Sequence, residues 1–154
     1  MANTKLIDGF RAEFNVTGSA IRFWKGYLKS NIALSIGDAI SVASGLIYRH
    51  GGVAGCLGVS AEQISSTTRN LSVLFVPAID DIVFSAPYGS ATTHYMTTAV
   101  WWTNKKIAGT KGKMYVSTGG NSICRIIGLH RNYSNSYYGH CYLIFKMSTF
   151  TGRS

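Results

Sequence analysis

Carboxylates are scarce in this chain, and its second half contains none. All six Asp and Glu residues lie within the first 81 positions, where seven Lys and Arg residues nearly balance them. Positions 82–154 carry eight further basic residues and no acidic side chain, so this half holds almost all of the net charge of +9. A field of one sign attracts an acidic partner, which is either nucleic acid or an acidic protein surface.

Charge of either sign is rare, and so are long apolar runs. Charged residues make up 14% of the chain, against the ~25% that is usual for soluble domains. No apolar run reaches ~18 residues, so we expect no membrane-spanning helix and no membrane partner. The N-terminal residues also lack the apolar stretch of a secretory signal peptide, which argues against secretion by that route.

Cysteines and histidines are few and do not form a recognisable catalytic or metal-binding pattern. Cys56, Cys124 and Cys141 are an odd, widely spaced set, which predicts reduced, buried thiols that act as small hydrophobes. The adjacent pairs Asp80–Asp81 and His140–Cys141 would point to opposite faces of a strand, so neither forms a catalytic pair. We therefore predict no metal, no cofactor and no enzymatic activity.

Short apolar runs separated by turn residues are what the sequence does contain. From Leu34 to Phe84 they alternate with turn sequences such as Gly37–Asp38 and Ser44–Gly45. The same pattern returns over 114–116, 122–129 and 140–147. This spacing predicts an all-β fold, a small β-barrel or sandwich of short strands with a second strand-rich unit at its C-terminal end.

Composition divides the chain into three zones. Residues 1–33 are an N-terminal arm or the first strands, residues 34–86 are the glycine-punctuated β unit, and residues 87–154 are the basic, strand-rich C-terminal unit. Only two prolines occur, Pro77 and Pro87, and their position predicts that the strand between them is an edge strand or a crossover between units.

Aromatic residues of the first zone have two interpretations, which the sequence leaves open. Phe10, Phe14, Phe23 and Trp24 lie in two short runs that the turn at 17–19 separates. Exposed, they would dock onto a neighbouring subunit by strand addition. Inward-facing, they would complete the core.

A cluster of aromatic and basic residues at 101–113 also has two interpretations. Trp101 and Trp102 beside the lysines could form a stacking platform for single-stranded nucleic acid. The favoured alternative is that one Trp packs inward, the other covers a strand edge, and the lysines solvate a glycine-rich loop, because no second aromatic and basic strand lies in phase. Lys outnumbers Arg here, which does not indicate sequence-specific base reading.

The order of elements in the central block resembles the head decoration (cement) proteins of tailed bacteriophages. The elements that carry the resemblance are Gly37–Asp38–Ala39–Ile40, Ser44–Gly45–Leu46–Ile47–Tyr48, Gly51–Gly52, Leu57–Gly58–Val59–Ser60, Leu71 to Val76 and Asp80 to Phe84. The tail that follows is longer and more basic than in the simplest of those proteins.

This resemblance implies a non-enzymatic structural protein on the virion surface, synthesised in the host cytoplasm. It would bind the major capsid protein and bridge or stabilise its subunits, as a homo-oligomer that is often trimeric in that family. The alternative is a single-stranded nucleic-acid-binding β-barrel protein. For either partner, the contact residues we predict are Phe10, Phe14, Trp24, Trp101, Trp102, Lys105, Lys106, Lys111 and Lys113.

Overall fold

The structure is a computed structural model of the 154-residue chain. It describes residues 9–50, 55–65, 70–79, 81–89, 102–120, 123–129 and 140–146, and these contain eleven strands and no helix. The strands are β1 (Arg11–Asn15), β2 (Trp24–Tyr27), β3 (Ala39–Ala43), β4 (Leu46–Arg49), β5 (Gly58–Ser60), β6 (Ser72–Pro77), β7 (Ile82–Pro87), β8 (Asn104–Thr110), β9 (Lys113–Gly120), β10 (Cys124–Leu129) and β11 (His140–Phe145).

These strands form two antiparallel sheets. The six-stranded sheet has the order β1-β7-β11-β10-β8-β9, and the five-stranded sheet has the order β2-β6-β5-β3-β4. Edge strands β2 and β4 meet at one bridge, Leu28–Ile47, but neither sheet is closed into a barrel. The predicted all-β class is confirmed. Of the two predicted forms, barrel and sandwich, the molecule has the sandwich form.

Local turn chemistry explains where several strands begin and end. Gly37 precedes β3 with a φ of 91°, and Ser44 and Gly45, with φ of 51° and 77°, join β3 to β4. Two successive residues with positive φ are typical of the two-residue hairpin turn whose twist matches that of the flanking strands. These turns lie where the sequence predicts them.

Two clusters of buried side chains hold the sheets together. The larger combines residues of the six-stranded sheet, such as Phe84 and Phe145 with ring centroids 5.0 Å apart, with Ala39 and Val59 of the five-stranded sheet. Ile40, next to Ala39 on β3, belongs to the second cluster. Since adjacent strand residues point to opposite faces, β3 is buried on both sides and joins the two clusters.

The two sheets do not coincide with the three zones of the sequence. Within the first zone, β1 pairs with β7 in the six-stranded sheet and β2 pairs with β6 in the other. The chain passes from the five-stranded to the six-stranded sheet between β6 and β7, which agrees with a crossover between the two prolines. The edge-strand prediction for this segment is wrong, because β7 lies between β1 and β11 and its last residue, Pro87, pairs with His140.

Candidate binding surfaces

The first zone supplies an edge strand to each sheet, and its aromatic side chains divide between core and surface. Phe10 is 3% exposed and its ring lies 5.5 Å from that of Phe145, so this residue completes the core. Its prediction as a contact residue is therefore corrected. Phe14 is half exposed on β1, opposite Val83 of β7.

Strand β2 carries two exposed aromatic side chains on opposite faces: Tyr27 on the outward side of β6, and Trp24 on the side of its buried partner Phe75. Trp24 is 49% exposed, and Tyr27 is more than half exposed. Lys25 lies directly opposite the exposed Leu74, so the two share one face, and Tyr27 is the diagonal neighbour of Leu74 on that face. Gly26 faces the core instead, where an added Cβ would lie 2.5 Å from Ile47 Cδ1.

Lysines of the predicted loop lie on a β-hairpin. Lys105 and Lys106 belong to β8, Lys111 lies in the turn and Lys113 begins β9. Lys106, Lys111 and Lys113 are exposed, and Lys105 is partly buried opposite Cys124. Lysine, glycine and alanine have low β propensity, so local sequence favoured a loop, but pairing with β9 and β10 overrides that preference.

Trp102 marks the start of this hairpin, and Trp101 lies outside the described residues. The side chain of Trp102 is 55% exposed. The backbone N–H of Trp102 donates a hydrogen bond to the carbonyl of Ile126 at 2.7 Å. The guanidinium carbon of Arg125 lies 5.0 Å from the Trp102 ring centroid, and Nε of Arg125 donates to Oδ1 of Asn104 at 3.0 Å. Such an arrangement is a cation–π pair whose cation is also held by a hydrogen bond.

Sequence reasoning missed Arg125 as a partner of Trp102. The two residues are 23 positions apart, and only the pairing of β10 with β8 brings them together. A signal existed, because Cys124, Arg125 and Ile126 alternate as expected for a strand whose middle residue faces outward. Strand order is not a local property, so this alternation did not reveal the neighbouring strand.

The three cysteine thiols are buried. Cys56, Cys124 and Cys141 are reduced thiols with no exposed surface, which confirms the prediction made for them. Burial raises the pKa of the Cys56 thiol to about 12 and that of Cys124 well above its usual value. Cys56 and Cys124 therefore stay protonated, and all three side chains pack as small apolar groups.

His50 is buried next to Ser41. Its Nδ1 lies 2.7 Å from Oγ of Ser41, and that hydroxyl also donates to the carbonyl of Gly55 at 3.0 Å. Ser41 has no exposed surface, so the pair is placed to hold Gly55 beside β3 rather than to meet a substrate.

Metal-binding clusters and membrane-spanning helices are both absent from the described residues. In the part of the chain that the structure describes, His, Cys, Asp and Glu side chains form no group of three suited to a metal ion. The described residues likewise contain no helix of the length and apolarity needed to cross a membrane.

Two comparisons with known proteins find no match to this chain. No protein-family model matches the sequence, and no curated protein matches it. The resemblance to phage head decoration proteins therefore rests on the order of the elements quoted above.

Proposed function

We propose that this chain is a structural protein of a bacteriophage head, which binds the capsid from outside and bridges or stabilises subunits of the major capsid protein. The observation that carries the proposal is the concentration of exposed apolar side chains in residues 11–27. Of the nine large hydrophobic side chains that are exposed among the described residues, five belong to this segment: Phe14, Val16, Phe23, Trp24 and Tyr27.

Backbone geometry of this segment supports docking onto another protein. β1 and β2 each end the strand order of their sheet, and no described strand pairs with the other edge of β1. A partner strand can add to such an edge through main-chain hydrogen bonds, while pockets for the alternate side chains provide specificity.

Burial of the exposed aromatic rings supplies the affinity. Complete burial of a Phe side chain contributes roughly 1.5–3 kcal/mol, so a ring that is already half buried contributes about 1 kcal/mol on docking. The free energy gained from the rings of one copy exceeds the entropic cost of ordering the interface only when several copies bind together. This requirement favours attachment by a homo-oligomer. We propose that copies of the chain associate in this way on the capsid.

Exposed cations in the same segment suit an acidic capsid surface. Arg11, Arg22 and Lys25 are exposed, against a single exposed carboxylate, Glu13, within residues 11–27. Complementary charge increases the association rate and suppresses wrong partners more than it adds affinity.

The proposal is tested by co-sedimentation with heads of the source phage that were assembled without this protein. We expect saturable binding at a fixed ratio to capsid subunits. The double variant Phe14→Ser/Trp24→Ser should weaken binding at least about tenfold, since two partly buried rings contribute about 2 kcal/mol together.

Trp102→Asn is the matched control, because it removes an equally exposed ring from a different sheet face. It should leave head binding unchanged. Non-saturable binding, or an equal loss for the control and the double variant, would contradict the assignment of residues 11–27.

A further inference from the structure

The outer face of the six-stranded sheet around β8, β9 and β10 forms a second surface. Three strands, β7, β11 and β10, lie between β1 and β8 in the sheet order, so this face is separate from the edge of residues 11–27. We define it by the outward residues of these strands and the segment leading into β8: Trp102, Asn104, Lys106, Lys113, Tyr115 and Arg125.

Strand register shows which side chains face outward. Ile107 and Val116 lie opposite each other and are both buried in the core. Their neighbours Lys106 and Tyr115 consequently point to the other side of the sheet. Arg125 faces the same way, because the flanking Cys124 and Ile126 are fully buried.

From this arrangement we infer that the outer face of β8–β10 binds single-stranded nucleic acid. A base stacks on the exposed indole of Trp102, and Arg125, Lys106 and Lys113 contact the phosphates. Aromatic platforms on a cationic track are how proteins hold single strands without reading their sequence.

The Trp102 platform is rigid before any ligand arrives. The backbone N–H of Trp102 donates a hydrogen bond to the carbonyl of Ile126, and the N–H of Ile126 donates one to the carbonyl of Thr103 at 3.0 Å. These two hydrogen bonds fix the backbone on both sides of Trp102. Asn104 orients the guanidinium of Arg125 against the ring. Little conformational entropy is therefore lost when a base stacks here.

Charge and ring chemistry together favour nucleic acid over an acidic protein. No carboxylate side chain occurs after Asp81, so strands β8–β11 present no acidic group to repel phosphates. Every nucleobase has a planar π face that stacks on an indole, whereas Asp and Glu side chains have none. An acidic protein would match the lysines but not Trp102.

Fluorescence anisotropy with labelled dT and rU 12-mers at 20–300 mM NaCl tests the inference. Binding should weaken linearly on a log–log salt plot with a slope of about −2, since roughly −0.7 is expected for each of three phosphates contacted. The variant Lys106→Ser/Lys113→Ser should bind more weakly and reduce this slope by about 1.4.

Trp102→Asn should weaken binding about tenfold or more, because one base loses its stacking partner. Asn is chosen because Trp102 has a φ of 63°, which Asn adopts more readily than most residues. Arg125→Lys provides a second variant that keeps the charge but not the planar guanidinium, and it should also weaken binding. Trp24→Ser, on the other sheet, is the matched control and should bind like the parent protein.

Three results would overturn the inference. They are absence of binding at 20 mM NaCl, unchanged affinity of Trp102→Asn together with Arg125→Lys, and competition by poly-L-glutamate as strong as that by unlabelled oligonucleotide at equal charge. Head binding by residues 11–27 is measured separately, so either surface can fail without the other.

Discussion

His50 shows how a single buried side chain connects the fold to solution pH. It is 5% exposed, and burial lowers its pKa from 6.5 to about 4. Because the hydroxyl of Ser41 donates to Gly55, Nδ1 of His50 carries the proton of the neutral ring and donates to Ser41. Protonation of the ring would place an additional charge in a buried site.

The free energy of unfolding should therefore fall as pH decreases from 6.5 to 4, because the unfolded chain binds a proton in this window and the folded chain does not. Between pH 7.5 and 5 the decrease from His50 is about 2 kcal/mol. Urea unfolding at both pH values measures it. His50→Gln should flatten this dependence, and an unchanged pH dependence in the variant would contradict the role given to His50.

At the scale of one element, Gly58 allows strands β5 and β6 to lie close together. It lies on β5 opposite Pro77 of β6, and an added Cβ would lie 2.2 Å from the carbonyl oxygen of Val76. The obstructing atom belongs to the backbone, so it cannot move as a flexible side chain would. Close pairing of β5 with β6 consequently requires glycine at this position.

Gly58→Ala should lower the free energy of unfolding by about 3 kcal/mol or more, because the two strands must separate to admit the methyl group. Gly45→Ala is the comparison, since Gly45 has open space around it and only its φ of 77° opposes a side chain. That substitution should cost about 1 kcal/mol. Equal losses in chemical denaturation would show that β5 and β6 do not need this close approach.

At the scale of the whole molecule, a buried carboxylate links the two sheets. Asp38 precedes β3 and has no exposed surface. Its Oδ2 accepts a hydrogen bond from the N–H of Ser35 at 2.9 Å, and its Oδ1 accepts one from the N–H of Gly112 at 2.8 Å, in the turn between β8 and β9. Next to it, the N–H of Ala39 donates to Sδ of Met114 at 3.2 Å.

Asp38→Ala should lower the free energy of unfolding by about 2–5 kcal/mol, because two backbone N–H groups lose their acceptors. Thermal unfolding followed by far-UV circular dichroism and by tryptophan fluorescence should shift by the same amount, since both sheets depend on this contact. Asp81→Asn, which alters an exposed carboxylate, is the control and should stay within about 0.5 kcal/mol of the parent protein. Two separate unfolding transitions would mean that the sheets unfold independently.

The sequence by itself determined the features that depend on neighbouring residues. Short apolar runs and turn pairs such as Ser44–Gly45 predicted the all-β class and the β3–β4 hairpin, because backbone preferences act over a few residues. Wide spacing predicted the buried thiols of Cys56, Cys124 and Cys141. One-signed charge after Asp81 is likewise visible without coordinates.

Only the tertiary structure decided which strands are neighbours, and therefore which side chains form each surface. Phe10 and Phe14 lie in the same apolar run, yet one is core and the other surface, because a register shift between Ala12 and Phe14 interrupts the alternation of β1. Arg125 reaches Trp102 because β10 pairs with β8. The free energy of such pairings is shared among residues far apart in the chain, so no local pattern specifies it.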